Sequence, residues 1–197
     1  DTLNPKIFEN NQKLNSEIRT RLLMIADDFF ETLDIPWTDV EDVTLTGSLS
    51  NYNWSKFSDV DLHILIDYKE IDENAELVSE YLMAKKNIWN DKHNITIKGY
   101  DVEVYAQNIE EEHISTGVYS ILWDEWLVKP KKSDVTIDGK KVKQKVSTII
   151  DGFDSLMLTF HNNEYDKVIR RIHNMKTKIK KLRQTGLDRD GEYSYEN

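Results

Sequence analysis

Leu45-Thr46-Gly47-Ser48, a ten-residue spacer, and then Asp59-Val60-Asp61-Leu62-His63-Ile64-Leu65-Ile66 form the stretch on which the reading of this chain turns. Apolar residues fall at 60, 62, 64 and 66, and polar ones at 59, 61 and 63. Alternation with period two marks a strand with one face in a core, so Val60, Leu62, Ile64 and Ile66 point inward while Asp59 and Asp61 point together out of it. Two carboxylates held side by side repel each other unless a cation lies between them. Magnesium suits such a pair because it takes oxygen ligands, keeps several waters and shares itself with substrate phosphates.

The residues on either side extend the pattern. Val43-Thr44-Leu45 reads as a short strand, and Gly47 follows where the chain must turn sharply. With no side chain, Gly47 lets a triphosphate approach its backbone. Ser48 offers a hydroxyl and an N–H at the start of a helical turn whose free N–H groups attract anions. Ser55 and Ser58 are candidates either for phosphate contact or for shaping the turn before the strand. Downstream, Asp101-Val102-Glu103-Val104-Tyr105-Ala106-Gln107 alternates again. Its buried face is Val102, Val104 and Ala106. A strand here, paired beside the Asp59 strand, completes a three-carboxylate cluster. Glu103 is preferred to Asp101 as its third member because it sits mid-strand between two valines.

Elsewhere, residues 11–33 place Leu14, Ile18, Leu22, Leu23, Ile25, Ala26, Phe29 and Phe30 at helical spacing, ended by Leu33-Asp34-Ile35-Pro36. A helix is expected over 72–89 with Leu77, Tyr81, Leu82 and Ile88 as its apolar positions, and a hairpin around Gly99 joins strands at 94–98 and 100–107. Asp138-Gly139 carries a turn signal between short apolar runs at 135–137 and 140–142. Helices over 145–161 and 164–184 then make a helical hairpin. The fold class expected is α/β (α+β): a small mixed sheet flanked by helices, with a C-terminal helical hairpin. The division falls at 1–128 and 129–197. Trp123 and Trp126 are expected in an interdomain core, Tyr52 and Trp54 as a base-stacking platform or as packing on a helix, and Asp188-Arg189-Asp190-Gly191 as a solvated loop. His63, on the carboxylate face, reads as a hydrogen-bonded strand histidine more readily than as a ligand.

Composition bounds the function classes. The chain has 197 residues, 39% hydrophobic content and five tryptophans, enough to bury a sizeable core. It has no cysteine, which excludes disulfides, zinc-thiolate sites and cysteine nucleophiles. No apolar run is long enough to span a bilayer and no signal peptide is recognisable, so a cytoplasmic location is expected. The start at Asp1 carries no weight in this. Net charge is −10 but uneven: residues 1–128 hold 26 acidic against 10 basic side chains, and residues 129–197 hold 10 against 16. From 167 to 187 there is no acidic residue, while Lys167, Arg170, Arg171, Lys176, Lys178, Lys180, Lys181 and Arg183 all occur.

Gly47-Ser48, the spacer, Asp59-Val60-Asp61-Leu62 and Val102-Glu103-Val104 together resemble the signature of the polymerase-beta-like nucleotidyltransferase superfamily. Leu45 to Ile66, Gly117-Val118-Tyr119-Ser120 through Trp126, and Arg171-Ile172-His173-Asn174-Met175 through Gly191-Glu192-Tyr193-Ser194 more closely resemble the small predicted nucleotidyltransferases of large tailed bacteriophages. The superfamily motif covers the chain to about residue 110, and the closer likeness spans most of it. The resemblance implies a nucleotidyl-transfer core using two magnesium ions, with manganese able to substitute, and a nucleoside triphosphate such as ATP as co-substrate. Asp59 and Asp61 are then expected to hold both ions, and Glu103 to ligate the catalytic one and help deprotonate an acceptor hydroxyl. Gly47, Ser48 and Ser58 would position the triphosphate, and Lys176 and Lys180 would neutralise its far end. For a phage-encoded chain the compartment is the host cytoplasm.

The acidic first part argues against extended contact with DNA or RNA. A small molecule or a protein hydroxyl is therefore the acceptor expected first, and a tRNA end bound through the basic helices second. The remaining reading is a non-enzymatic module that binds nucleotide or a partner chain on the same fold.

Overall fold

The computed structural model describes residues 2–10, 12–113, 115–132 and 138–194. The chain divides into two compact units, Asp1–Lys132 and Ser133–Asn197.

Among the described residues, the first unit contains α1 (Ser16–Glu31), β1 (Asp42–Thr46), a 3-10 turn (Ser48–Ser50) and β2 (Val60–Ile66). These are followed by α2 (Tyr68–Ile71), α3 (Ala75–Lys92), β3 (Thr96–Ile97), β4 (Tyr100–Asn108), β5 (Val118–Ser120) and β6 (Glu125–Val128). The strands form one sheet in the order β3-β4-β2-β1-β5-β6. Among the described strands β2 and β4 alone pair in parallel; the other neighbours run antiparallel. A parallel pair cannot be closed by a tight turn, and α2 with α3 supplies the crossover that it needs. The mixed α and β architecture expected from the sequence is the one observed.

Local chemistry accounts for the elements. The Asn15 side chain caps α1 by accepting from the N–H groups of Glu17 and Ile18, and Ile18, Leu22, Ala26 and Phe29 make its buried stripe. The β3–β4 hairpin turns through Lys98 at φ 53° and Gly99 at φ 89°. Positive φ at both central positions is the mark of a type I′ turn, whose twist matches the flanking strands. Val60, Leu62, Ile64 and Ile66 are all buried, as their alternation requires.

Two expectations about side chains are corrected. The buried positions of α3 are Val78, Leu82 and Trp89, whereas Leu77, Tyr81 and Ile88 are exposed. This helix meets the rest of the unit along a narrow stripe: the Trp89 ring sits edge-on to Phe29 at 5.6 Å, and the Asn90 amide pairs with both the N–H and the C=O of Val104 on β4. Trp126 lies within the first unit, stacked on Phe8 at 5.1 Å and edge-on to Tyr119 at 5.0 Å, while Trp123 is exposed.

The second unit is a helical hairpin, as expected, of α4 (Gly139–His161) and α5 (Tyr165–Asp190). Asn163 turns the chain between them at φ 60°. The runs expected on either side of Asp138-Gly139 are not a strand pair: residues 140–142 belong to the first turn of α4, and 135–137 lie outside the described residues. Asp188, Arg189 and Asp190 continue α5, with Gly191 at its C-terminal cap at φ 69°, so the helix replaces the expected loop. Leu156 and Val168 are the buried apolar side chains among this unit's described residues. Val146, Ile150, Phe153, Met157 and Phe160 of α4 stay exposed.

Candidate metal centre

Parallel pairing of β2 with β4 sets Asp61 directly opposite Glu103. Asp59 immediately precedes β2. One carboxylate oxygen each from Asp59, Asp61 and Glu103 lies within 4.8 Å of the other two, and all three residues are partly buried. Asp101 stands opposite Thr96 on β3 and is exposed, so it takes no part. The cluster offers only oxygen donors, the chemistry that suits a hard divalent cation, and its carboxylates are close enough to share one. These residues can therefore hold a metal ion.

Gly47 has φ 71° and ψ −162°. A Cβ built there would lie 1.9 Å from Asp61 Oδ2. The close approach that calls for glycine at this position is thus made by a carboxylate of the cluster itself. Ser48 opens the 3-10 turn that follows β1, and its hydroxyl donates to Ser58 Oγ at 2.7 Å. Ser58 Oγ also accepts from the Ser55 N–H at 2.9 Å, so Ser58 ties this loop together and fills the turn-shaping role. The Gly47 N–H donates to Ser115 Oγ at 3.3 Å, and that hydroxyl donates to the carbonyl of Gly117 at 2.9 Å. Residues 115–117 thereby brace the loop beside Asp61.

The opposite flank of the cluster carries groups that motif reading did not single out. The Tyr105 hydroxyl donates to Glu103 Oε2 at 2.6 Å. Burial, reinforced by that bond and by the charges of Glu103, Asp61 and Asp59, pushes the Tyr105 hydroxyl well above the usual tyrosine range. It stays protonated and holds one Glu103 oxygen in place. The Lys86 ammonium of α3 lies 3.6 Å from the centre of the Tyr105 ring. Burial lowers the Lys86 pKa, and the negative charges of Glu103 and Asp61 oppose that shift.

His63 stacks on Tyr105 with ring centres 4.9 Å apart, and its Nδ1 meets Gln107 Oε1 at 2.6 Å. An amide oxygen only accepts, so the proton sits on Nδ1. Burial pushes the imidazole pKa down, which favours the neutral ring. His63 is thus the hydrogen-bonded strand histidine of the sequence reading. Lys86 did leave a sequence signal. It falls on the buried stripe of α3, four residues after Leu82 and three before Trp89, where helical spacing calls for an apolar residue.

Trp54 is tied down by its Nε1, which donates to the Thr2 carbonyl at 2.7 Å, and Tyr52 lies under the Lys132 ammonium at 5.6 Å from its ring centre. Lys176 and Lys180 are exposed residues of α5 and belong to the second unit. No helix among the described residues is long and apolar enough to cross a membrane. No family model, curated protein or solved structure matches the chain.

Proposed function

We propose that the first unit is a magnesium-dependent nucleotidyltransferase that moves a nucleoside monophosphate from a nucleoside triphosphate to a hydroxyl of a small molecule or protein, releasing pyrophosphate. The observation that carries this reading is the convergence of Asp59, Asp61 and Glu103 within 4.8 Å of one another beside a glycine that has no room for a side chain. Asp59, Asp61 and Glu103 would hold the magnesium, which when bound neutralises phosphate oxygens and lowers the barrier to displacement at phosphorus.

The chain's own groups do the remaining work. The acceptor oxygen forms the new bond to the α-phosphorus, the bond from that phosphorus to the leaving pyrophosphate breaks, and the acceptor proton passes to a carboxylate oxygen of Glu103. Tyr105 donates to Glu103 Oε2, leaving the other oxygen to face the acceptor. The Gly47-Ser48 loop, held by Ser58 and Ser115, would orient the triphosphate. Lys86 is the cation that the first unit itself brings near Glu103 and Asp61. Rate enhancement in such a site comes from positioning and charge stabilisation.

One observation favours RNA as the acceptor instead: eight basic residues and no acidic one lie between 167 and 187. Both readings are tested by supplying α-labelled nucleoside triphosphates and magnesium or manganese, with the small-molecule, protein and RNA fractions of a cell lysate in separate reactions. Label is expected in the small-molecule or protein fraction and is lost in Asp59→Asn and Asp61→Asn. Label in the RNA fraction alone selects the second reading. Equal labelling by wild type and both variants, or no labelling in any fraction, rejects transfer at this site.

A further inference from the structure

The second unit carries an apolar groove between its helices, and the charged residues that line it are all basic. A groove of about 520 Å³ runs between α4 and α5. Its lining extends from Lys145 to Leu156 on α4 and from Arg171 to Leu182 on α5, about 16 Å along each helix at 1.5 Å per residue. Ile149 and Leu156 of α4 and Met175, Ile179 and Leu182 of α5 supply the aliphatic lining. Gly152 sits among them: a Cβ there would lie 3.3 Å from Met175 Cε, the end of a flexible side chain that can give by a few tenths of an ångström. Lys145, Arg171 and Lys178 supply the cations. Arg171 is held in position by bonds to the Ser155 carbonyl and hydroxyl and to Thr159 Oγ1. At 100° per residue, Lys167, Arg170 and Lys181 fall on the same side of α5 as Arg171 and Lys178, within an arc of about 100°.

We propose that this groove is a docking site for an acidic amphipathic helix of a partner protein. The inference does not depend on the reading of the first unit. Three features select that occupant. The aliphatic lining and cationic border call for a ligand that is apolar on one side and anionic on the other. The groove is as long as three turns of helix and has α-helices on both walls, whose backbone groups are already hydrogen-bonded. A segment lying there must therefore satisfy its own N–H and C=O groups, as a helix does and an extended strand does not. No aromatic side chain is among the described lining residues, so unpaired bases of a nucleic acid find nothing to stack on. A third helix in the groove also completes a core for a unit whose described apolar side chains include only Leu156 and Val168 as buried.

Fluorescence anisotropy of the full chain with labelled synthetic helices of about five turns tests this. One probe carries leucine along one face and glutamate elsewhere, a second has lysine in place of glutamate, and a third has serine in place of leucine. The leucine-glutamate probe is expected to bind and the other two are not. Lys145→Glu/Lys178→Glu should weaken the leucine-glutamate probe about tenfold or more and admit the leucine-lysine probe. Gly152→Leu, which fills the groove, should remove binding, with circular dichroism confirming that both variants are folded. Failure of the leucine-glutamate probe to bind overturns the proposal, as does equal binding of the serine probe or indifference to the charge reversal. A dimer in sedimentation that Gly152→Leu abolishes would assign the groove to a second copy, and displacement of the probe by single-stranded RNA would assign it to nucleic acid. Either result overturns the assignment to an acidic helix.

Discussion

Gly47→Ala separates the two reasons for glycine beside the carboxylates. At φ 71° and ψ −162° the backbone occupies a region open essentially to glycine, and holding another residue there costs about 1–3 kcal/mol. The new Cβ would also stand 1.9 Å from Asp61 Oδ2 and 3.0 Å from its Cγ. Those atoms are the end of a side chain, so the least costly relief is rotation of the Asp61 carboxylate away from Asp59 and Glu103. The backbone therefore bears most of the loss of stability, the displaced carboxylate adds a smaller share, and the cluster bears the loss of geometry. The variant should unfold with about 2 kcal/mol less stability, a melting temperature lower by about 4–8 °C for a unit of this size, followed by calorimetry in metal-free buffer. It should also lose the stabilisation that magnesium with nucleotide gives wild type.

Repeating the substitution in an Asp61→Ala background removes the carboxylate that the Cβ meets and leaves only the backbone cost. The difference between the two costs should be at least about 0.5 kcal/mol. A melting temperature within about 1 °C of wild type, together with an intact ligand shift, would refute both the strain and the crowding arguments.

Magnesium plus a nucleoside triphosphate should raise the melting temperature more than either alone, by the equivalent of about 2.7 kcal/mol at a hundredfold excess over the dissociation constant; an equal rise in the Asp59→Asn/Asp61→Asn double variant would point to adventitious binding. Glu103→Gln should lose single-turnover transfer while keeping most nucleotide affinity, and Asp101→Asn, altering an exposed side chain at the hairpin end, should be mild; the reverse order would move the third-carboxylate role to Asp101. Asp42→Asn should be at least as stable as wild type at neutral pH. Burial raises the Asp42 carboxyl above 3.8 despite hydrogen bonds to Ser120 and to the backbone at Val43 and Leu122. The folded form therefore holds a proton that the unfolded chain has lost, and this contribution to stability falls as pH rises from the unfolded value through the folded one. Chemical denaturation of wild type and variant across that acid window checks the sign, and a variant clearly less stable at neutral pH would contradict it.

What local pattern can dictate was readable before the fold was known. The alternation at 59–66 and 100–107 marked two strands and separated their faces, because side-chain direction in a strand depends on position parity alone. The 3.6-residue spacing of Ile18, Leu22, Ala26 and Phe29 marked α1, and Lys98-Gly99 marked a turn. Periodicity was weaker at choosing what a helix buries. Leu77, Tyr81 and Ile88 were reasonable apolar positions for α3, yet the helix meets the rest of the unit through Val78, Leu82 and Trp89. A helix with apolar residues on several sides can present more than one stripe, and its neighbours decide which stripe is covered. The packing of Trp126 was equally hard to read, since its partners Phe8 and Tyr119 are distant in the sequence or on another strand.

The sequence by itself determined that Asp59 and Asp61 share a side of a strand and that Glu103 occupies the polar side of another. Only the tertiary structure decided that these strands are parallel neighbours with Asp61 opposite Glu103. A slip of one residue would have set a valine there. It also decided that Gly47 makes room for Asp61, that Tyr105 and Lys86 flank Glu103, and that Ser58 closes a loop. Parity and helical spacing are properties of the backbone over a few residues, so they can be read from the chain. Register, and the choice of which side chains meet, depend on contacts between segments tens of residues apart, and those contacts exist only when the whole core has closed.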